Sequence, residues 1–297
     1  DFVWIKSRTF NDNHNIADTV RGATKYIFPN LNSNEFTSSA YLNRFSANGF
    51  SIGSDNSGNK IGENFVSWNW KAGGAAVTNN NGTIAGQVSA NKDSGFSIVK
   101  YTGTSTSGAT IGHGLDNPPE MVILKNLDSS ANWYIYHKDT GTTSGYINYL
   151  KFDATTGSYS DKIFYPVNFN SSTLTPGYDS VLQGNMIAYC FHSVAGYSKM
   201  GTYTGNGSST GPNVTLGFTP SFLMVKRTDS GDNWLVFDNK RNTTNPTNLA
   251  LVPNSLAAES VGNLGNGFNF LSNGFQVVST DTGINANGGE YIYMAFA

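Results

Sequence analysis

The chain has 297 residues, 38% hydrophobic and 13% aromatic, which excludes a mainly disordered polypeptide. Its formal net charge is -2 and only 13% of residues are charged, about half the usual quarter. No broad electrostatic footprint for nucleic acid or for an anionic membrane is therefore expected. No apolar run approaches the ~18 residues that a membrane helix needs. The opening residues Asp1 to Lys6 lack a signal-peptide pattern, and the single cysteine, Cys190, excludes an intramolecular disulfide.

In chain order, short runs rich in Val, Ile, Tyr, Phe and Trp alternate with turn residues. Phe2–Lys6, Phe65–Trp70, Tyr101–Gly103, Met121–Lys125, Asn132–Tyr136, Met186–Phe191, Tyr203–Gly205, Phe222–Lys226, Asn233–Phe237 and Tyr291–Phe296 all have strand length and no sustained helical period. Asn-Gly pairs at Asn48-Gly49, Asn81-Gly82, Asn206-Gly207, Asn266-Gly267, Asn273-Gly274 and Asn287-Gly288 suit tight hairpins. One short helix is expected, from Asn254 as N-cap to Val261. The chain is otherwise read as all-β.

These runs recur at constant offsets. Met121–Lys125 followed by Asn132–Tyr136 parallels Phe222–Lys226 followed by Asn233–Phe237, and Tyr101-Thr102-Gly103 parallels Tyr203-Thr204-Gly205. A third copy opens the chain: Phe2–Lys6 matches Phe222–Lys226, Asp18 and Arg21 match Asp238 and Arg241, and Phe45–Phe50 matches Phe270–Phe275. Tandem β-sandwich, jelly-roll-like repeats are therefore expected at 1–74, 96–194 and 195–297, with 75–95 as a linker or long loop. The first copy lacks the opening strand. The expectation is that an upstream part of a longer polypeptide, or a partner, completes it, since proteins rarely leave a sheet edge bare. Trp133, Trp234 and His14 share one repeat position, and Trp68 and Trp70 match Met294 and Phe296. Large apolar residues at period 2 are read as core.

Phe2–Arg8, Val20–Thr24, Trp68–Gly74 and Tyr291–Ala297 together resemble a domain of unknown function common in tail-fibre-like and virion proteins of marine and cyanobacterial phages. The resemblance runs over essentially the whole chain and implies a setting, the phage particle outside the cell. It carries no catalytic residues to transfer.

The residues themselves offer little chemistry. His14, His113, His137 and His192 show no metal-ligand spacing, and there is neither a G-x-S-x-G elbow nor a P-loop. No cofactor and no catalytic residue is expected. Asp128, Asp139, Asp153 and Asp161 form the densest group of acids, with no pair marked for glycosidic cleavage. Asp55 with Glu63, and Asp281 with Glu290, close equivalent oxygen-rich loops and are the candidates for calcium, against an ordinary hairpin-loop role. For ligand contact the candidates are Tyr134, Tyr136 and His137, on the strand face opposite the expected core, and Asp238, Lys240 and Arg241. A bracing salt bridge is the competing reading of Asp238 and Arg241. The leading expectation is a non-enzymatic virion protein of a tail fibre or similar appendage. It would contact other virion proteins and host surface polysaccharide, as a homotrimer or as a pseudo-threefold monomer. A head-decoration or spacer protein without ligand, and a glycan-degrading tailspike, are the alternatives.

Overall fold

The computed structural model describes residues 1–165, 169–261 and 266–297. The chain is nearly all β and its ladders are antiparallel, with helical turns only at Asn56–Asn59, Ser180–Leu182 and Thr282–Asn285 among the described residues. Three sheets carry the architecture. The C-terminal sheet has the order Leu235–Asp238, Phe222–Arg227, Glu290–Phe296, Ser198–Thr204. The centre of the middle sheet repeats it with Tyr134–His137, Met121–Asn126, Gln183–Phe191 and Phe96–Thr104. The N-terminal sheet has only Asn15–Asp18, Phe2–Ser7 and Phe65–Trp70. By chain order these are the third, second, closing and, where present, opening strands. The register is shared: Phe2, Met121 and Phe222 pair with Trp70, Phe191 and Phe296 on one side and with Asp18, His137 and Asp238 on the other.

Each second strand is apolar on both faces because both faces are covered. Inner-face residues from all three sheets, among them Trp4, Trp68, Ile98, Ile123, Tyr189, Met224 and Met294, meet in one common core. The other face of each sheet packs under its own outer layer. Val122 and Leu124 join the outer core of the middle sheet, Leu223 and Val225 that of the C-terminal sheet, and Val3 and Ile5 that of the N-terminal sheet. Of the expected Asn-Gly hairpins, Asn48-Gly49 and Asn273-Gly274 form within these layers, with Phe45 paired to Phe50 and Phe270 to Phe275. Asn206-Gly207 and Asn287-Gly288 instead join strands that do not pair with each other or follow a helical turn.

Sequence-matched contacts join the three sheets in a closed cycle. Trp133 Nε1 donates to the carbonyls of Phe28 and Leu31, Trp234 Nε1 donates to Lys151, and His14 Nε2 meets the carbonyl of Val252. Each contact thus reaches from one segment to the one before it, the first reaching round to the last. Backbone bonds repeat the cycle in both directions. Asp12, Ala131 and Asp232 donate to Leu256, Asn32 and Thr155, while Glu259, Glu35 and Ser158 donate back to Arg8, Leu127 and Thr228. Lys6, Lys125 and Lys226, all fully buried, lay their ammonium groups on carbonyls at these same seams. Burial lowers the pKa of each to about 8. Heterologous contacts that close on themselves give a ring and leave no unsatisfied end.

Two expectations are corrected. Residues 75–95, expected as a linker or long loop, hold two paired strands. Val77–Asn79 and Gly86–Asn91 form a hairpin that extends the middle sheet beyond Phe96–Thr104, where alternate residues such as Val88 reach the outer core. The helix expected from Asn254 to Val261 is also absent. The Asn254 side chain accepts from the Trp234 N–H and donates to Asn233, and the Leu256 carbonyl accepts from Lys6 and Asp12. Such seam bonds draw the segment out, and a helix would withdraw those groups.

Candidate functional site

The middle hairpin walls a concavity of about 510 Å³. Its walls are the hairpin strands, the loop around Gly114 and the Ser171-Ser172 turn. Close backbone approach shapes it. Gly114 has φ +76°, and a Cβ there would lie 2.8 Å from Val88 and 3.0 Å from Ala90. His113 pins the two loops together: its Nε2 meets the Asn170 carbonyl at 3.0 Å and its Nδ1 accepts from the Leu115 N–H at 3.2 Å. Burial depresses the His113 pKa, so the ring holds these bonds as a neutral imidazole.

The lining is amide and hydroxyl over an apolar floor. Thr78, Asn79, Asn81, Ser89, Ser171 and Ser172 supply polar groups, and Val77, Val88 and Leu115 supply the floor. Lys92 and Asp116 face each other at 2.7 Å, both largely exposed. Such an exposed pair adds little stability, which leaves both groups free to turn to a ligand. Neutral donors and acceptors beside apolar carbon match a hydroxyl-rich ligand. A linker or long loop at 75–95 offers no such cleft, so it is not among the sites expected from sequence; the alternation Gln87-Val88-Ser89 is the signal the sequence carries for it.

The residues singled out from sequence are placed elsewhere. Tyr134, Tyr136 and His137 do lie on one strand, but the exposure expected of that face is corrected. Tyr134 is buried in the outer core, Tyr136 packs against Phe164 and Phe169, and His137 is fully buried. Burial pushes the pKa of both tyrosines up to about 12 and that of His137 down to about 3. The outer layer over this face has no counterpart among the local sequence signals.

Asp238 and Arg241 form a buried ion pair, with Nε to Oδ2 at 2.6 Å. Asp238 Oδ1 also accepts from the Lys240 and Arg241 N–H groups, and Arg241 reaches the Val236 carbonyl and Glu259. Burial opposes the Asp238 charge, but Arg241 outweighs it and holds the carboxyl below its ordinary range. Asp18 and Arg21 repeat this corner with Glu35. Lys240 alone of the three ligand candidates here is exposed.

Asp55 and Asp281 take equivalent places, as expected, but as N-caps. Asp55 accepts from the Ser57 N–H and Asp281 from the Gly283 N–H. Asp179 does the same for Val181, a third instance not seen in the sequence. Glu63 is held by the Thr9 hydroxyl and Lys60, and Glu290 sits exposed at the start of the last strand. Among the described residues no group of three or more His, Cys, Asp or Glu is arranged to hold a metal ion. Asp128, Asp153 and Asp161 bind three different partners: Asn185, the Trp133 N–H and the Tyr149 hydroxyl. Among the described residues no helix is long and apolar enough to cross a membrane.

No curated protein and no solved structure matches the chain. The profile of one family, described as a domain of unknown function (DUF7483), spans residues 1–297, and the chain belongs to that family.

Proposed function

We propose that the chain is a non-enzymatic module of a phage virion, part of a tail fibre or similar appendage, that contacts host surface polysaccharide through the middle-sheet cleft. The observation that carries this reading is the lining of that cleft: amides, hydroxyls and one loose ion pair over Val77, Val88 and Leu115. In this reading the segments are three tandem β-sandwich repeats, the first without its opening strand. The shared registers and the closed cycle of seams support it. The same cycle favours a pseudo-threefold monomer over the homotrimer, which the molar mass in solution decides. Other virion proteins are its expected partners, and the surrounding particle its location.

The test is binding of fluorescently labelled protein to host cells before and after removal of surface polysaccharide. Saturable binding that is lost on stripping, and reduced at least tenfold by Asn81→Ala with Asp116→Ala, is the expected result. Binding unaffected by those substitutions overturns the assignment of the cleft. No binding to any host by folded protein favours a spacer or head-decoration role, and new reducing ends would mark a glycan-degrading enzyme.

A further inference from the structure

The closing strand Phe65–Trp70 pairs with Phe2–Ser7 on one side, and its other side has no strand partner among the described residues. In the other two sheets the matching side is filled. Phe96–Thr104 pairs along Gln183–Phe191, and Ser198–Thr204 along Glu290–Phe296. Beside the open edge lies a groove of about 330 Å³. Trp68, Trp70, Phe222, Phe296 and Tyr197 give it apolar walls, and Asn239 contributes a buried Oδ1 that has no hydrogen-bond partner.

The edge is polar as well as open. Glu120 and Ser221 donate to the carbonyls of Phe191 and Phe296, the positions that match Trp70. Ladder alternation therefore turns the N–H and C=O of Trp70, Trp68 and Val66 toward Phe2–Ser7, and those of Phe65, Ser67 and Asn69 outward. The Ser67 and Asn69 side chains are exposed, whereas Ala188, Cys190, Tyr293 and Ala295 at the matching positions are buried.

We infer that this groove accepts one extended strand from another polypeptide by β-augmentation, in the register that the chain's own opening strands define. Its occupant runs antiparallel to Phe65–Trp70. It places small or apolar residues opposite Trp70 and Trp68, as Phe96 and Ile98 or Ser198 and Met200 do on their own closing strands. The residue opposite Phe65 is the one that Tyr101 and Tyr203 occupy. Phe222 receives the incoming strand as Phe2 receives Phe96, an edge-on ring contact at 6.0 Å. Main-chain bonds give the affinity, and the two inward positions give the selectivity.

The test uses the whole 297-residue chain and synthetic peptides copying Phe96–Thr104 and Tyr197–Thr204. Saturable binding with slowed amide exchange at Ser67 and Asn69 is expected. A peptide N-methylated on the amides that face the edge should fail, while one methylated on the alternate amides should bind. Asn69→Pro removes an edge donor without touching the Phe2–Ser7 ladder, and should weaken binding about tenfold. Folded protein that binds neither peptide, or binds them equally after either methylation, overturns the proposal. So does a monomer in which the Ser67 and Asn69 amides are already protected without any peptide.

Discussion

The corners where the third strands end come in two kinds. In the N-terminal and C-terminal sheets the corner is ionic: Asp18 with Arg21 and Glu35, and Asp238 with Arg241 and Glu259. In the middle sheet the same positions hold His137, Thr140 and Ser158, and no charge is buried there. The neighbouring sheet accounts for the difference. Asp18 accepts from the Tyr189 hydroxyl at 2.7 Å and Asp238 from Trp68 Nε1 at 3.0 Å, both from the closing strand of the adjacent sheet. The residue matching Tyr189 and Trp68 in the C-terminal sheet is Met294, which has no donor. A carboxylate facing Met294 would lose that bond, and the whole ionic set is replaced together. His137 Nδ1 still accepts the Asp139 N–H at 3.2 Å, doing what Asp238 Oδ1 does for Lys240. A buried ion pair is thus kept where a third donor helps to solvate it, and dropped where none is available.

The sharpest way to break this comparison is to remove one cation. Arg241→Ala leaves Asp238 buried and uncompensated, and should cost about 3–5 kcal/mol of unfolding free energy in urea. Thr140→Ala at the matching position should cost less than about 1 kcal/mol. Equal losses would mean that the ionic corners are no more than packing. A smaller effect tests the donor from the adjacent sheet. Tyr189→Phe keeps the ring among Phe2 and its neighbours but removes the bond to Asp18, and should cost about 1.5–3 kcal/mol. Met294→Leu, which removes no bond, should cost less than about 1.5 kcal/mol. If Tyr189→Phe is silent, the covariation of donor and acid within the chain has another origin.

Much of this was legible in the sequence because it is written in local periodicity. Runs such as FVWIK, MVILK and FLMVK, and the recurrence of Asp18/Arg21 at Asp238/Arg241, located the strands, the common register and a bracing salt bridge. Legibility ended where a residue's role depends on a neighbour far along the chain. Tyr134 and Tyr136 read as exposed because period 2 shows that a strand has two faces, but not that a second layer covers the outer one. Asn254 read as a helix cap because its bond to Trp234, from twenty residues upstream, is invisible locally. The hairpin at 77–91 read as a linker because Gly, Asn and Ala diluted its alternation, and the cleft it builds went unseen with it.

Per pH unit, a smaller effect than the loss of the Tyr189 bond lies in the pH dependence, and it isolates His137 from the ionic corners. Burial holds its folded-state pKa near 3, against 6.5 for a free imidazole. Between those values the unfolded chain binds the proton and the folded chain does not, so stability is lost as pH falls below 6.5. The slope approaches 1.4 kcal/mol per pH unit, as a rough upper figure for one fully shifted group. His14 and His113, both depressed by burial, push in the same direction. Asp238, with its lowered pKa, loses its contribution only at more acidic pH. His137→Asn keeps a side-chain acceptor for the Asp139 N–H but has nothing to titrate. Urea midpoints measured from pH 7 to pH 4 should therefore fall less steeply in His137→Asn than in the parent, by about 1 kcal/mol per pH unit. Parallel curves would show that His137 is protonated in the folded protein, and the middle corner would then be a charged one like the other two.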